Sequence, residues 1–219
     1  MSVLKDVSFT VRQSEVLGLI GPNGAGKTTL FECLAGLLPV DAGRVTFRDR
    51  ELEPGKRKDA LYYIPDSIRP WADQTVSFVV SFFEALHNRK PEEGAALLSS
   101  LQLQNLLHRR IWMLSKGEAK RFLLAIGLLT HQPILLVDEP FDGLDLRQTR
   151  EVMSLLRTHA AKGRTLFVSI HQLTDAARVC DRLVLLSASR VVGEGTLDEL
   201  SQKAGVADGG LEEVFLALT

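Results

Sequence analysis

Cysteine is almost missing from this sequence. Cys33 and Cys180 are the only two among 219 residues, so neither a disulfide framework nor a cysteine zinc site is available, and a reducing compartment suits the chain. An excess of one charge is missing as well. The 26 basic and 27 acidic side chains leave a net charge of -1, which gives no sign of a phosphate-backbone footprint and leaves at most a local basic patch. No apolar run approaches the roughly 20 residues that a membrane-spanning helix needs, and the most apolar stretch covers only residues 122–129. Internal repeats, low-complexity tracts and a long coiled-coil insertion are not found. The sequence already alternates by Val7 and Phe9, so no signal peptide is expected. What is present is a mix of 45% hydrophobic and 24% charged residues, the balance of a packed fold rather than a disordered chain. Its length suits one domain or a compact two-lobed unit, with membrane attachment supplied by a partner.

Val7, Phe9 and Val11 alternate like a strand, and residues 16–20 form an apolar run expected to be a buried strand. A glycine-rich loop follows, then a helix from Thr28 that closes near Gly36. Short strands are expected at residues 45–47 and 62–64, separated by a charged run with glycine and proline. From about Gln74 to Leu129 the apolar residues recur at helical spacing, so a helical lobe over residues 66–130 is expected inside an α/β core of residues 1–65 and 131–219. Beyond Ile134 strands and helices alternate, the signature of βα units stacked on a mainly parallel sheet. Thr196 and Glu199 have capping-box spacing and open one more helix.

Gly21-Pro22-Asn23-Gly24-Ala25-Gly26-Lys27-Thr28 satisfies the phosphate-loop pattern and lies between an expected strand and helix. Consecutive backbone N–H groups and the helix start can cradle phosphate oxygens, and glycines allow the close approach. Asn23, Gly24, Ala25, Gly26, Lys27, Thr28 and Thr29 are therefore the candidate nucleotide-binding residues. Lys27 would neutralise the β- and γ-phosphates, and the Thr28 hydroxyl would sit on magnesium.

Residues 134–137 are apolar and lead into Asp138 and Glu139, placing two carboxylates at a strand's C-terminal end, where open α/β sheets bind ligands. An acidic pair there can also be a turn or a cap. Beside a phosphate loop, Asp138 suits magnesium held through water, and Glu139 suits orienting or deprotonating the attacking water. Ser115 and Glu118 have capping-box spacing. Ser115 and the N–H groups near Gly117 would also make an anion-binding helix start for a second molecule's γ-phosphate. His171 follows the strand expected at residues 165–169 and is a candidate γ-phosphate sensor. His87, His108, His131 and His159 lack that position and are taken as surface or packing residues.

Together these motifs resemble the ATP-binding-cassette ATPase family over nearly the whole chain. Residues 21–28 match its Walker A motif, 134–139 its Walker B motif and 114–118 its signature. Gly143-Leu144-Asp145 resembles its D-loop, and His171 stands at the switch-histidine position. The resemblance implies a P-loop core with a mainly parallel sheet, a small N-terminal antiparallel sheet and an inserted helical subdomain. It also implies ATP and Mg2+ as ligands, with Lys27, Glu139 and His171 in the chemistry and Thr28 and Asp138 at the metal. A second cassette would dock head to tail, so that each phosphate loop faces the partner's Ser115 and Gly117. A separate multispanning permease would hold the pair at the inner, cytoplasmic face of the membrane.

Lys116 replaces the first of the signature's two usual glycines, and Glu118 its usual glutamine. The Leu-Ser-Lys-Gly form and residues 211–219 look similar to the exporter branch that works with separate membrane proteins. The aromatic residue that usually precedes the first core strand has no counterpart here. Asp66 stands at the Q-loop glutamine position, where its carboxylate can attract magnesium. Two other functions compete: a soluble assembly or nucleic-acid-associated ATP switch, and a nucleotide-gated structural subunit that hydrolyses weakly.

Overall fold

The computed structural model describes residues 3–206 and 210–219. Residues 1, 2 and 207–209, which the expected core limits include, lie outside the described residues. Among the described residues, six strands build the main sheet. They are β1 (Val16–Ile20), β4 (Leu61–Ile64), β5 (Ile134–Asp138), β6 (Thr165–Ile170), β7 (Arg182–Ser187) and β8 (Arg190–Gly195), in the order β4-β5-β6-β1-β7-β8. Every pairing is parallel except β7 with β8. A second, two-stranded antiparallel sheet joins β2 (Thr46–Phe47) to β3 (Arg50–Glu51). The mixed α/β phosphate-loop architecture with a small antiparallel sheet and helical insertion is thus present.

β1 is apolar throughout because both its faces are covered. Val16 and Ile20 belong to the larger core, shared with the inserted helices, whereas Leu17 and Leu19 point to the other face and pack with Phe31. Phe31 comes from α1 (Lys27–Ala35), which ends on Gly36 at φ 77, a left-handed cap that a side chain would disfavour. On this second face Phe167 of β6 is 0% exposed, with ring centroids 4.9 Å from Phe31 and 5.3 Å from Phe9. Phe167→Ala is expected to cost about 3–5 kcal/mol. Urea unfolding followed by circular dichroism would read this as a lower midpoint at unchanged m, and a midpoint equal to the parent's would refute the packing account.

The alternation at Val7, Phe9 and Val11 marks facing correctly but does not make a ladder strand. Phe9 turns inward, while Lys5 N–H donates to Ser189 O and Thr10 N–H donates to Glu194 Oε1. Those backbone donors are satisfied by a turn and a side chain, so no neighbouring strand is required. β8 was not expected from sequence; its run Arg190-Val191-Val192-Gly193-Glu194-Gly195 has too little alternation to stand out.

Between β4 and β5 the chain forms α3 (Val76–Leu86), α4 (Pro91–Ser100) and α5 (Lys116–Leu129). α5 starts with the expected capping box, since Ser115 Oγ accepts from Glu118 N–H and Glu118 Oε2 accepts from Ser115 N–H. It is buried nearly all round because it lies between the other inserted helices and the sheet. Even Lys120 and Arg121 are only 6% exposed. At Gly127 an added Cβ would come within 2.3 Å of Ile64 Cδ1, so glycine sets how closely α5 approaches β4. The second expected capping box is also formed: Thr196 and Glu199 exchange hydrogen bonds at the start of α8 (Leu197–Ala204).

Candidate functional site

Parallel pairing brings the C-terminal ends of β1, β5 and β6 side by side, and the candidate residues gather at that edge. The phosphate loop leaves β1 at Gly21, where a Cβ would stand 2.4 Å from Leu186 O. Gly24 and Gly26 adopt φ of 80 and 104, left-handed conformations that residues with a Cβ rarely adopt. Around Gly24 an added Cβ would meet nothing within 4 Å. Its glycine therefore answers to backbone conformation and not to crowding. Asn23 is exposed, Ala25 is buried with its N–H on Pro22 O, and Thr29 is half-buried in the first turn of α1.

Lys27 is only 8% exposed, and its ammonium donates to Gly21 O at 2.8 Å and Pro22 O at 3.4 Å, with Glu139 Oε1 3.7 Å away. A buried cation without such partners would be costly. Lys27 thus lies folded along the loop it belongs to, beside the candidate catalytic carboxylate.

Asp138, 2% exposed, is held by three side chains. Thr28 Oγ1 donates to its Oδ2 at 2.7 Å, Tyr63 OH reaches the same oxygen at 3.5 Å, and Ser169 Oγ donates to Oδ1. Burial first, and then the charge of Asp138, pushes the Tyr63 phenol well above its usual range. Tyr63 therefore remains a neutral donor here.

Ser169 also accepts from Glu139 N–H at 3.0 Å, so one hydroxyl joins the two acidic residues. Glu139 has φ 50, a left-handed conformation uncommon for a residue with a side chain. His171 Nδ1 lies 2.7 Å from Glu139 Oε2. A carboxylate only accepts, so that ring nitrogen carries a proton. Thr28, Asp138, Ser169, Glu139 and His171 are thus linked in one hydrogen-bonded series, with Lys27 alongside.

Asp66 follows β4 and is tied from both oxygens: Lys120 Nζ to Oδ1, and Ser67 Oγ to Oδ2 at 2.7 Å. Burial would raise its pKa, but the bonds from Lys120 and Ser67 outweigh this and hold the carboxyl below its usual range. The signature residues sit against the segment that follows Glu139. Lys116 Nζ donates to Asp142 Oδ2 at 2.6 Å, and a Cβ on Gly117 would come within 2.9 Å of Gly143 O. Ser115 is exposed at the head of α5.

Ser169, Tyr63 and Lys120 escaped the sequence reading. Ser169 had a usable signal: it is a polar residue near the end of an apolar strand, and its register partner is Asp138. Lys120 had none, because a lysine in a helix is ordinarily solvated and only the packing of α5 buries it.

Thr28 and Asp138 offer oxygens of the kind magnesium takes, and the glycine-rich loop with its lysine suits a triphosphate. This donor set fits MgATP. Fold and site together define a phosphate-loop nucleotide-binding protein of the ATPase class.

Comparison with known proteins narrows the class. A family model described as ABC transporter matches residues 4–142. The hemin import ATP-binding protein HmuV of Thermobifida fusca (strain YX) is 35% identical over 209 residues, covering 89% of this chain and 72% of that protein. The Nod factor export ATP-binding protein I of Burkholderia orbicola (strain AU 1054) is 32% identical over 201 residues, covering 88% of this chain and 66% of that protein. A solved ATP-binding subunit of an ABC transporter superposes with a TM-score of 0.89 at 29% identity, covering 99% of this chain and 92% of that one. The chain belongs to the ABC transporter family, as an ATP-binding cassette subunit. One of these relatives is named for import and the other for export, so membership is common to both directions.

Proposed function

We propose that this cassette hydrolyses MgATP to drive export through a separate membrane permease. The observation that carries the hydrolytic part is the hydrogen-bonded series from Thr28 through Asp138, Ser169 and Glu139 to His171. Lys27 and the backbone N–H groups of residues 23–29 hold the phosphates, with Lys27 leaving Gly21 O and Pro22 O, and the Ala25 N–H leaving Pro22 O, to do so. Thr28 and Asp138 hold the magnesium, which when bound neutralises charge on the phosphate oxygens. Glu139 accepts a proton from the attacking water, and His171 orients Glu139 while reaching toward the γ-phosphate. Ser115 and Gly117 serve the nucleotide of a second cassette docked head to tail.

Export is supported by the Leu-Ser-Lys-Gly signature and by the terminal segment, a helix at Leu211–Leu218 that buries Leu211 and Val214. Peripheral attachment through a partner is supported by the exposed aromatic surface of the inserted region. Phe78, Phe82 and Leu86 recur every fourth residue along α3, and Trp71 and Trp112 are exposed as well. Such a surface suits a partner, and the permease is the partner proposed. No helix among the described residues is long and apolar enough to cross a membrane. The aromatic surface also favours transport over a nucleic-acid switch, whose surface would be basic.

Co-purification from membranes tests the reading. A multispanning protein should accompany the chain, and the pair in inside-out vesicles should accumulate cargo when MgATP is supplied. Recovery with nucleic acid and no membrane protein would overturn transport. Cargo moving out of such vesicles would overturn export alone.

A further inference from the structure

Lys120 is a buried cation that the roles above leave unused. It lies on α5 two residues beyond the signature, and its ammonium makes two contacts: the Asp66 carboxylate and, at 2.8 Å, the main-chain oxygen of Glu139. Three separate segments therefore meet on one side chain. They are the residues following β4, the signature helix and the end of β5.

We propose that Lys120 is the positioning residue for Glu139, with Asp66 as its anchor. The inference rests on the reading of Glu139 as the carboxylate that activates water. Its physical ground is the backbone of Glu139. At φ 50 a glutamate sits in a sparsely populated conformation, and it stays there only when its surroundings over-determine it. Both main-chain polar groups of this residue are tied down: N–H by Ser169 Oγ at 3.0 Å, and C=O by Lys120 at 2.8 Å and by the Asp142 N–H of the following turn at 3.3 Å. Ser169 belongs to β6 and is fixed by the strand register. Lys120 is the tie from the helical side, so the direction of the Glu139 side chain depends on where α5 sits.

The anchor follows from burial. At 6% exposure an ammonium needs a counter-charge and full hydrogen bonding. Asp66 supplies the charge from one oxygen, and Ser67 steadies the other. Asp66 is thereby committed to Lys120 instead of serving as a magnesium ligand. A neutral amide at residue 66 would leave the lysine without its counter-charge, so this acid and this lysine belong together.

The test compares Lys120→Met, Lys120→Gln, Asp66→Asn and the double variant Asp66→Asn with Lys120→Met, all in the full chain. Phosphate release gives kcat and KM, calorimetry gives ATP affinity, and NMR follows hydrogen exchange at the Glu139 amide. Lys120→Met is expected to lower kcat roughly ten- to hundred-fold, the scale of a misplaced reacting group. ATP affinity should change by less than about two-fold, because the phosphate loop is untouched. The Glu139 amide should exchange faster. Lys120→Gln keeps a donor and should recover part of kcat, and it carries the test if the methionine variant does not fold. Asp66→Asn should lose less, and adding it to Lys120→Met should cost nothing further, since the two act as one unit. The proposal is overturned by a kcat within about two-fold of the parent in the folded lysine variants. Losses of kcat and affinity that track a fall in melting temperature would overturn it too, as would additive losses in the double variant. A Glu139→Gln control separates the two readings. Parental turnover there refutes the role of Glu139 itself, whereas lost turnover there beside unaffected lysine variants refutes only the positioning role.

Discussion

Glu139→Gln is expected to lower kcat by about 10²–10⁴-fold, the usual contribution of a positioned general base. The amide keeps the shape of the carboxylate, but its one oxygen accepts from only one of His171 and Lys27, which lie 2.7 Å and 3.7 Å from the two carboxylate oxygens in the parent. It cannot accept the proton of the attacking water. Binding should therefore survive while turnover stops, and the protein should accumulate as an ATP-bound dimer. Sedimentation velocity with ATP and magnesium would show the shift to twice the mass, and phosphate release would show the loss. A variant that hydrolyses at the parental rate would remove Glu139 from the chemistry, and the left-handed turn at its backbone would need another explanation.

Lys27→Ala acts on the other half of the reaction. A charge-assisted hydrogen bond contributes about 1.5–3 kcal/mol, which is roughly a ten- to hundred-fold loss of triphosphate affinity. The loss should be larger for ATP than for AMP, because the ammonium is aimed at the β- and γ-phosphates. The substitution also leaves the carbonyl of Gly21 without its donor and Glu139 without its neighbouring cation. Thermal melting should accompany the calorimetry, so that a general loss of stability is separated from a loss of ligand. Unchanged affinity for ATP in a protein of parental melting temperature would sink the phosphate-loop assignment.

Much of this was legible one residue at a time. The phosphate loop is local: its glycines, lysine and threonine stand within residues 21–28, and each answers to a requirement of backbone conformation or charge. The same holds for the capping boxes at Ser115 and Thr196, where donor and acceptor are three residues apart. β1, β5 and β6 were readable because strands covered on both faces must be apolar along their whole length. β8 and the N-terminal segment were not. β8 is an edge strand whose residues are governed by one neighbour, and the alternation at Val7, Phe9 and Val11 reports facing without reporting whether a partner strand exists.

Asp66 shows the boundary most clearly. From sequence it is a carboxylate beside a proline, at a position where a magnesium ligand would make sense. In the fold it is the counter-ion of Lys120, which lies 54 residues away on a helix buried on nearly every side. The sequence by itself determined the type of most elements, the order of the motifs and the chemistry that each motif can perform, because these depend on residues close together in the chain. The tertiary structure alone decided which charges meet. An ion pair depends on distance and burial, and both are set by how α5 packs against β4 and β5, through contacts that no local pattern records.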